Sequence, residues 1–117
     1  MKMPRKKRTK ATEFTKNERE IINSRDGGCI FCQMNYYNDE LNSFEKSNFQ
    51  IMHYIPRSQG GLGIRENAAV GCIGHHTMYD NGSSGRREEM KERFKEYLKS
   101  FYPDWCENDL VFNKYKD

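Results

Sequence analysis

Two pairs of side chains at the same interval, Cys29-x-x-Cys32 and Cys72-x-x-His75, have the types and spacing of a tetrahedral zinc site. Each pair sits on an expected turn, so both of its donors can aim at one ion. Four protein ligands leave no open position, and a zinc held this way is structural. Cys106 is the rival for the fourth place. It lies beyond a long helical stretch, and a buried free thiol is the ordinary fate for it. A redox reading of Cys29 and Cys32 lacks the βαβ pattern of a thioredoxin-like motif. A second group of reactive side chains is interleaved with the first: His53, Asn67, His76 and Asp80. A histidine can exchange a proton near neutral pH. An imidazole and a carboxylate four residues apart share a helical face and can share a divalent ion such as Mg²⁺, Mn²⁺, Ni²⁺ or Zn²⁺. Arg57, just after Pro56, is placed to clamp a phosphate.

These side chains need particular elements to hold them. Residues 49–55, FQIMHYI, are β-branched and aromatic and predict a strand that Pro56 ends, placing His53 near its end. RSQGGLGIREN reads as a loop ending at Asn67, and residues 68–72 as the return strand. A short helix over about 74–79 then carries His75 and His76, ending at Asn81-Gly82, with GSSG as a hinge after it. Upstream, Thr15 and Glu18 have capping-box spacing at the head of a helix that Gly27 and Gly28 stop. Residues 33–48 read as a long irregular connection with at most a short helical turn. Met90, Phe94, Tyr97, Leu98 and Phe101 make one apolar stripe along a helix over 86–101, which is core packing without chemistry. Trp105, Leu110, Val111 and Phe112 are expected to dock the tail.

Bulk properties set the frame. The chain has 117 residues, 35% hydrophobic and 32% charged, which is one domain with a small core that needs a staple. No signal peptide or membrane-length apolar run is visible. That points to a cytoplasmic chain whose thiols stay reduced and bind metal. The first ten residues hold six Lys or Arg and no acid, against fourteen basic and seventeen acidic residues in the rest. Residues 1–13 thus read as a disordered basic arm suited to nucleic acid, with Lys6, Lys7 and Arg8 able to follow a phosphate backbone. Residues 14–117 read as a single domain with its core over about 27–82.

The ordered set His53-x-x-Pro56, Gly60-Gly61, Asn67, Cys72-x-x-His75-His76 resembles the HNH endonuclease family. With Cys29 and Cys32 the likeness reaches the zinc-binding, cysteine-bearing branch and covers roughly half the chain. It implies an α+β fold: a small ββα-metal core stapled by structural zinc, flanked by an N-terminal helix and the long C-terminal amphipathic helix. It also implies a metal-dependent DNA endonuclease. His53 would be the general base, losing competence below about pH 6 to 6.5, and Asn67 the residue that holds the loop and orients His53. His76 and Asp80 would be the ligands of a catalytic divalent ion. Cys29, Cys32 and Cys72 match the zinc ligands, with His75 where that branch usually has a fourth cysteine. One position departs: the family commonly has an Asp or His metal ligand before the base, and this chain has Met52. That leaves open a zinc-knuckle DNA-binding protein without catalysis, or an accessory subunit of a larger nuclease or packaging complex.

Overall fold

The computed structural model describes residues 8–82 and 85–113, with the side chains of residues 8 and 9 outside the description. Lys6 and Lys7 therefore lie outside the described residues, and Arg8 is seen as backbone only. Helices α1 (Arg8–Thr12), α2 (Lys16–Asp26), α3 (Ile30–Gln33) and α4 (Ser43–Ser47) precede a two-stranded antiparallel sheet, β1 (Phe49–His53) and β2 (Ala68–Cys72). Helices α5 (Ile73–Asn81) and α6 (Arg87–Phe101) follow. The expected fold class holds at this coarse level: mixed helix and a small sheet around a four-residue Cys and His group. No helix among the described residues is long and apolar enough to cross a membrane.

Local sequence explains most boundaries. Thr15 caps α2 by accepting the Glu18 N–H at 3.1 Å, and Gly27 ends it in the left-handed region at φ 64°, where a side chain would be strained. The capping box stays half-made, because the Glu18 carboxylate turns to Arg65 instead, at 2.7 Å from Nη2. A full box forms at α4, where Asn42 and Glu45 exchange bonds of 2.8 and 3.0 Å, in the stretch read as irregular. Helix α1 also replaces the last part of the expected disordered arm. Strand β1 stops at His53, two residues early: Tyr54 N still donates to the Asn67 carbonyl in register, but Ile55 N turns to the Asn67 side chain and the ladder ends.

The sheet separates two apolar layers. On one side Ile22 of α2 packs on Ala68 and Val70, with Phe14 and Ile51 alongside. On the other, Met52, Tyr54 and Ala69 join Phe31, Tyr79 and the α6 stripe of Met90, Phe94 and Leu98. Phe94 meets the Tyr54 and Phe31 rings edge-on at 5.4 and 6.2 Å. Phe101 departs from the expected stripe and is exposed. A buried ion pair closes the α2 end: Arg25 Nε donates to Asp26 at 2.6 Å, and Asp26 also accepts from Val70 N and the Tyr97 hydroxyl. Arg25 donates further to the carbonyls of Arg65 and Ala68.

The tail docks as expected. Leu110 is buried, Trp105 Nε1 donates to the Glu66 carbonyl, and Val111 bridges Gly61. The loop over residues 56–63 is thus gripped from both directions along the chain. Leu62 N and Phe112 N pair it with the tail, and Gly63 N donates to Ala11 O at 2.9 Å.

Candidate metal centre and the adjoining cleft

Cys29 is the N-cap of α3 and Cys72 the N-cap of α5, so the same short turn occurs twice. In each, the thiol sulfur accepts a backbone N–H three residues on, Cys32 N at 3.3 Å and His75 N at 3.4 Å. That geometry explains the x-x spacing, since it turns the third residue towards the first. The four donor atoms converge: Cys32 Sγ lies 3.8 Å from Cys72 Sγ, and His75 Nδ1 lies 3.5, 3.5 and 3.2 Å from the sulfurs of Cys29, Cys32 and Cys72. A tetrahedral zinc with bonds of about 2.3 Å to sulfur and about 2.0 Å to nitrogen requires separations of about 3.8 and about 3.5 Å. The cage fits. The His75 tautomer fits too, because Nε2–H donates to the Tyr36 carbonyl at 2.5 Å, leaving the Nδ1 lone pair for the ion. Burial keeps His75 below the ordinary imidazole value, opposed by the Tyr36 bond, so the ring is neutral at neutral pH. This group can bind a metal such as zinc. Cys106 stands apart from it and is exposed, against the expectation of a buried thiol.

A cleft of about 360 Å³ opens beside this centre. It is lined by His53 from β1, His76 and Asp80 from α5, Arg57 from the loop, Thr12 from α1, Arg19 from α2, and Glu13 and Phe14 from the link between those helices. His76 and Asp80 meet as the i, i+4 spacing required, with Nε2 3.1 Å from Oδ2. Nδ1–H of His76 donates to Gln50 Oε1 at 2.5 Å. Nε2 of His76 and the Asp80 carboxylate then face each other, an arrangement able to share a cation. His53 sits half-buried with Phe14 against its ring, centroids 4.4 Å apart. Burial moves its pKa below the ordinary value, opposed by a hydrogen bond to the Thr12 carbonyl. Arg57 is exposed and lies 3.7 Å from the Glu13 carboxylate.

Asn67 is not in the cleft. It is fully buried, accepting from Ile55 N and donating to the carbonyls of Ile55 and Leu62. Its bonds tie together the two ends of the loop between β1 and β2. Met52 is also fully buried, on the face opposite His53, with its sulfur 2.4 Å from where a Cβ on Gly71 would stand. The residue before His53 is therefore core and does not reach the cleft. Met52→Asp is expected to destabilise the metal-loaded protein by about 2–3 kcal/mol, through a buried carboxyl and lost packing. Denaturant unfolding of wild type and variant checks this, and unchanged stability would contradict the core placement.

Arg19 and Phe14 belong to the cleft and were not singled out from sequence. Arg19 lies over the Phe14 ring at 5.8 Å. The two flank the Thr15 cap, one residue before it and four after it, and the contact is a cation over an aromatic ring. No protein-family model matches the chain, and neither a curated protein nor a solved structure does.

Proposed function

We propose that the protein is a metal-dependent DNA endonuclease of the HNH type, built on a ββα-metal core with a structural zinc. The observation that supports it most is one cleft lined by His53, Arg57, His76 and Asp80, from a strand, a loop and a helix. In this reading His53 accepts a proton from the attacking water, and Arg57 with Arg19 holds phosphate oxygens. His76 and Asp80 would hold a divalent ion, which would supply charge neutralisation at the phosphate. Because burial favours neutral His53, its competence extends below the ordinary imidazole value near 6.5, lower than the sequence alone suggested. The basic residues ahead of α2 would follow the DNA backbone, as would be seen in a steep salt dependence of binding.

The test is plasmid nicking by the zinc-loaded protein across Mg²⁺, Mn²⁺ and Ni²⁺, beside His53→Ala. The variant is expected to lose at least about a hundredfold in rate, the usual contribution of a general base. Equal nicking by both proteins would refute the reading. Met52, being core, supplies no ligand to a cation in the cleft. That observation favours a second reading, zinc-knuckle DNA binding without hydrolysis. Salt-sensitive binding with no cutting under any of these ions would establish it.

A further inference from the structure

The N-terminal segment over residues 11–14 is fastened across His53 by contacts that no part of the β1–β2–α5 unit supplies. His53 Nε2 is 2.9 Å from the Thr12 carbonyl oxygen, and Phe14 covers the ring at 4.4 Å between centroids. Thr12 is 3% exposed, so the carbonyl is held where water competes poorly. The segment itself is pinned from the loop side. Gly63 N donates to Ala11 O, and Arg57 Nε donates to Thr12 Oγ1 at 3.4 Å. Gly63 has no room for a side chain, because a Cβ there would stand 2.2 Å from the Glu13 carbonyl oxygen.

A carbonyl oxygen only accepts hydrogen bonds, so the hydrogen of this contact belongs to Nε2. In the neutral ring the lone pair is then on Nδ1. We infer that residues 12–14 are the positioning element of His53, fixing its Nε2–H tautomer and so making Nδ1 the nitrogen that accepts a proton in the cleft. The Thr12 carbonyl selects the tautomer and Phe14 holds the ring plane. Thr12 and Phe14 touch neither substrate nor ion in this role and act only through His53. The assignment of the tautomer stands on the geometry alone, while its effect on rate rests on the nuclease reading above.

The test uses full-length, zinc-loaded protein with ¹⁵N-labelled histidine, with His53 identified by the signals missing from His53→Gln. At a pH where the ring is neutral, wild type is expected to show a protonated, pyrrole-type Nε2 and a bare, pyridine-type Nδ1. A protonated Nδ1, or averaged signals from a mixture, overturns the inference. Gly63→Ala pushes the Glu13 backbone off its seat without substituting any side chain that lines the cleft. It is expected to give averaged ring signals and a kcat lower by about ten- to hundredfold, with KM for DNA unchanged. If Gly63→Ala does not retain its zinc and its cooperative unfolding, Phe14→Ala serves as the second variant, with the same effects in smaller measure. A folded variant that keeps a pure Nε2–H ring and full kcat overturns the positioning role. If wild type cuts no DNA, the nuclease reading fails by itself, and the ring signals of wild type and variants still decide the tautomer and its cause.

Discussion

Removing metal from the cage of Cys29, Cys32, Cys72 and His75 is expected to abolish cooperative unfolding at room temperature. The cage joins the N-cap of α3 to the N-cap of α5, and Cys29 and Cys72 are part of the main apolar cluster. A structural zinc of this type contributes on the order of 10–16 kcal/mol at neutral pH, against about 5–15 kcal/mol for the whole stability of a domain. Losing it therefore removes more than the protein has to spare. Circular dichroism during titration with a strong chelator, followed by zinc addition, would read the loss and its recovery. A melting transition that ignores the chelator would rule out a structural metal.

Acidification works in the same direction. Burial pushes the Cys29 and Cys32 thiols above the ordinary thiol value, so without metal both hold their protons at neutral pH. The ion binds thiolates, so binding expels those protons. By linkage, apparent affinity rises with pH and falls as pH drops, and protonation of His75 adds to the loss only in acid, because burial has lowered its pKa. Zinc release should thus begin on the acid side of neutrality and complete at lower pH, read by a zinc-sensitive dye.

Asp26→Ala is expected to destabilise the zinc-loaded protein by about 3–5 kcal/mol, the loss seen when one member of a buried ion pair is removed. The Asp26 side chain has no solvent exposure and that of Arg25 has 8%, so screening by water is slight. The variant strands the Arg25 guanidinium among the Tyr97, Phe101 and Tyr102 rings, and deprives Val70 N and the Tyr97 hydroxyl of their acceptor. Tyr97 is on α6, Val70 is in the middle of β2, and Asp26 ends α2, so three elements lose a common anchor. Asp26→Asn keeps an acceptor for Val70 and should lose less. Denaturant titration of the three proteins orders them, and a loss under about 1 kcal/mol for Asp26→Ala would show that the pair is dispensable.

The metal cage was legible in the sequence because its information is local. Two x-x turns recur, and a repeated turn has a repeated spacing. The hairpin and the two helices after it were legible for a related reason, since β1, β2 and α6 carry their patterns within single elements. The Asp26 anchor was not legible. Its partners are Arg25 next door, but also Val70 and Tyr97, and nothing at position 26 of a polar helix end announces a buried charge. The near wall of the cleft was hidden similarly, as Thr12 and Phe14 reach His53 across some forty residues of chain. Met52 was misleading in a specific way. Its neighbour His53 faces a cleft, and alternation along a strand sends the next side chain to the opposite face, into the core.

The loop over residues 56–63 also bears on the order of assembly. Its amides and carbonyls pair with Ala11 on one side and with Leu110, Val111 and Phe112 on the other, partners about a hundred positions apart. Each of these contacts closes a stretch of about fifty positions, a larger closure entropy than that of a local turn. On a ribosome they wait longer still, because residue 112 must be synthesised before the loop has all its bonds. The turns that carry Cys29, Cys32, Cys72 and His75, complete once His75 has emerged, can be in place well before that. Arg57 thus takes its final seat among the last parts of the chain to do so, and the cleft is finished only as the C-terminal tail arrives.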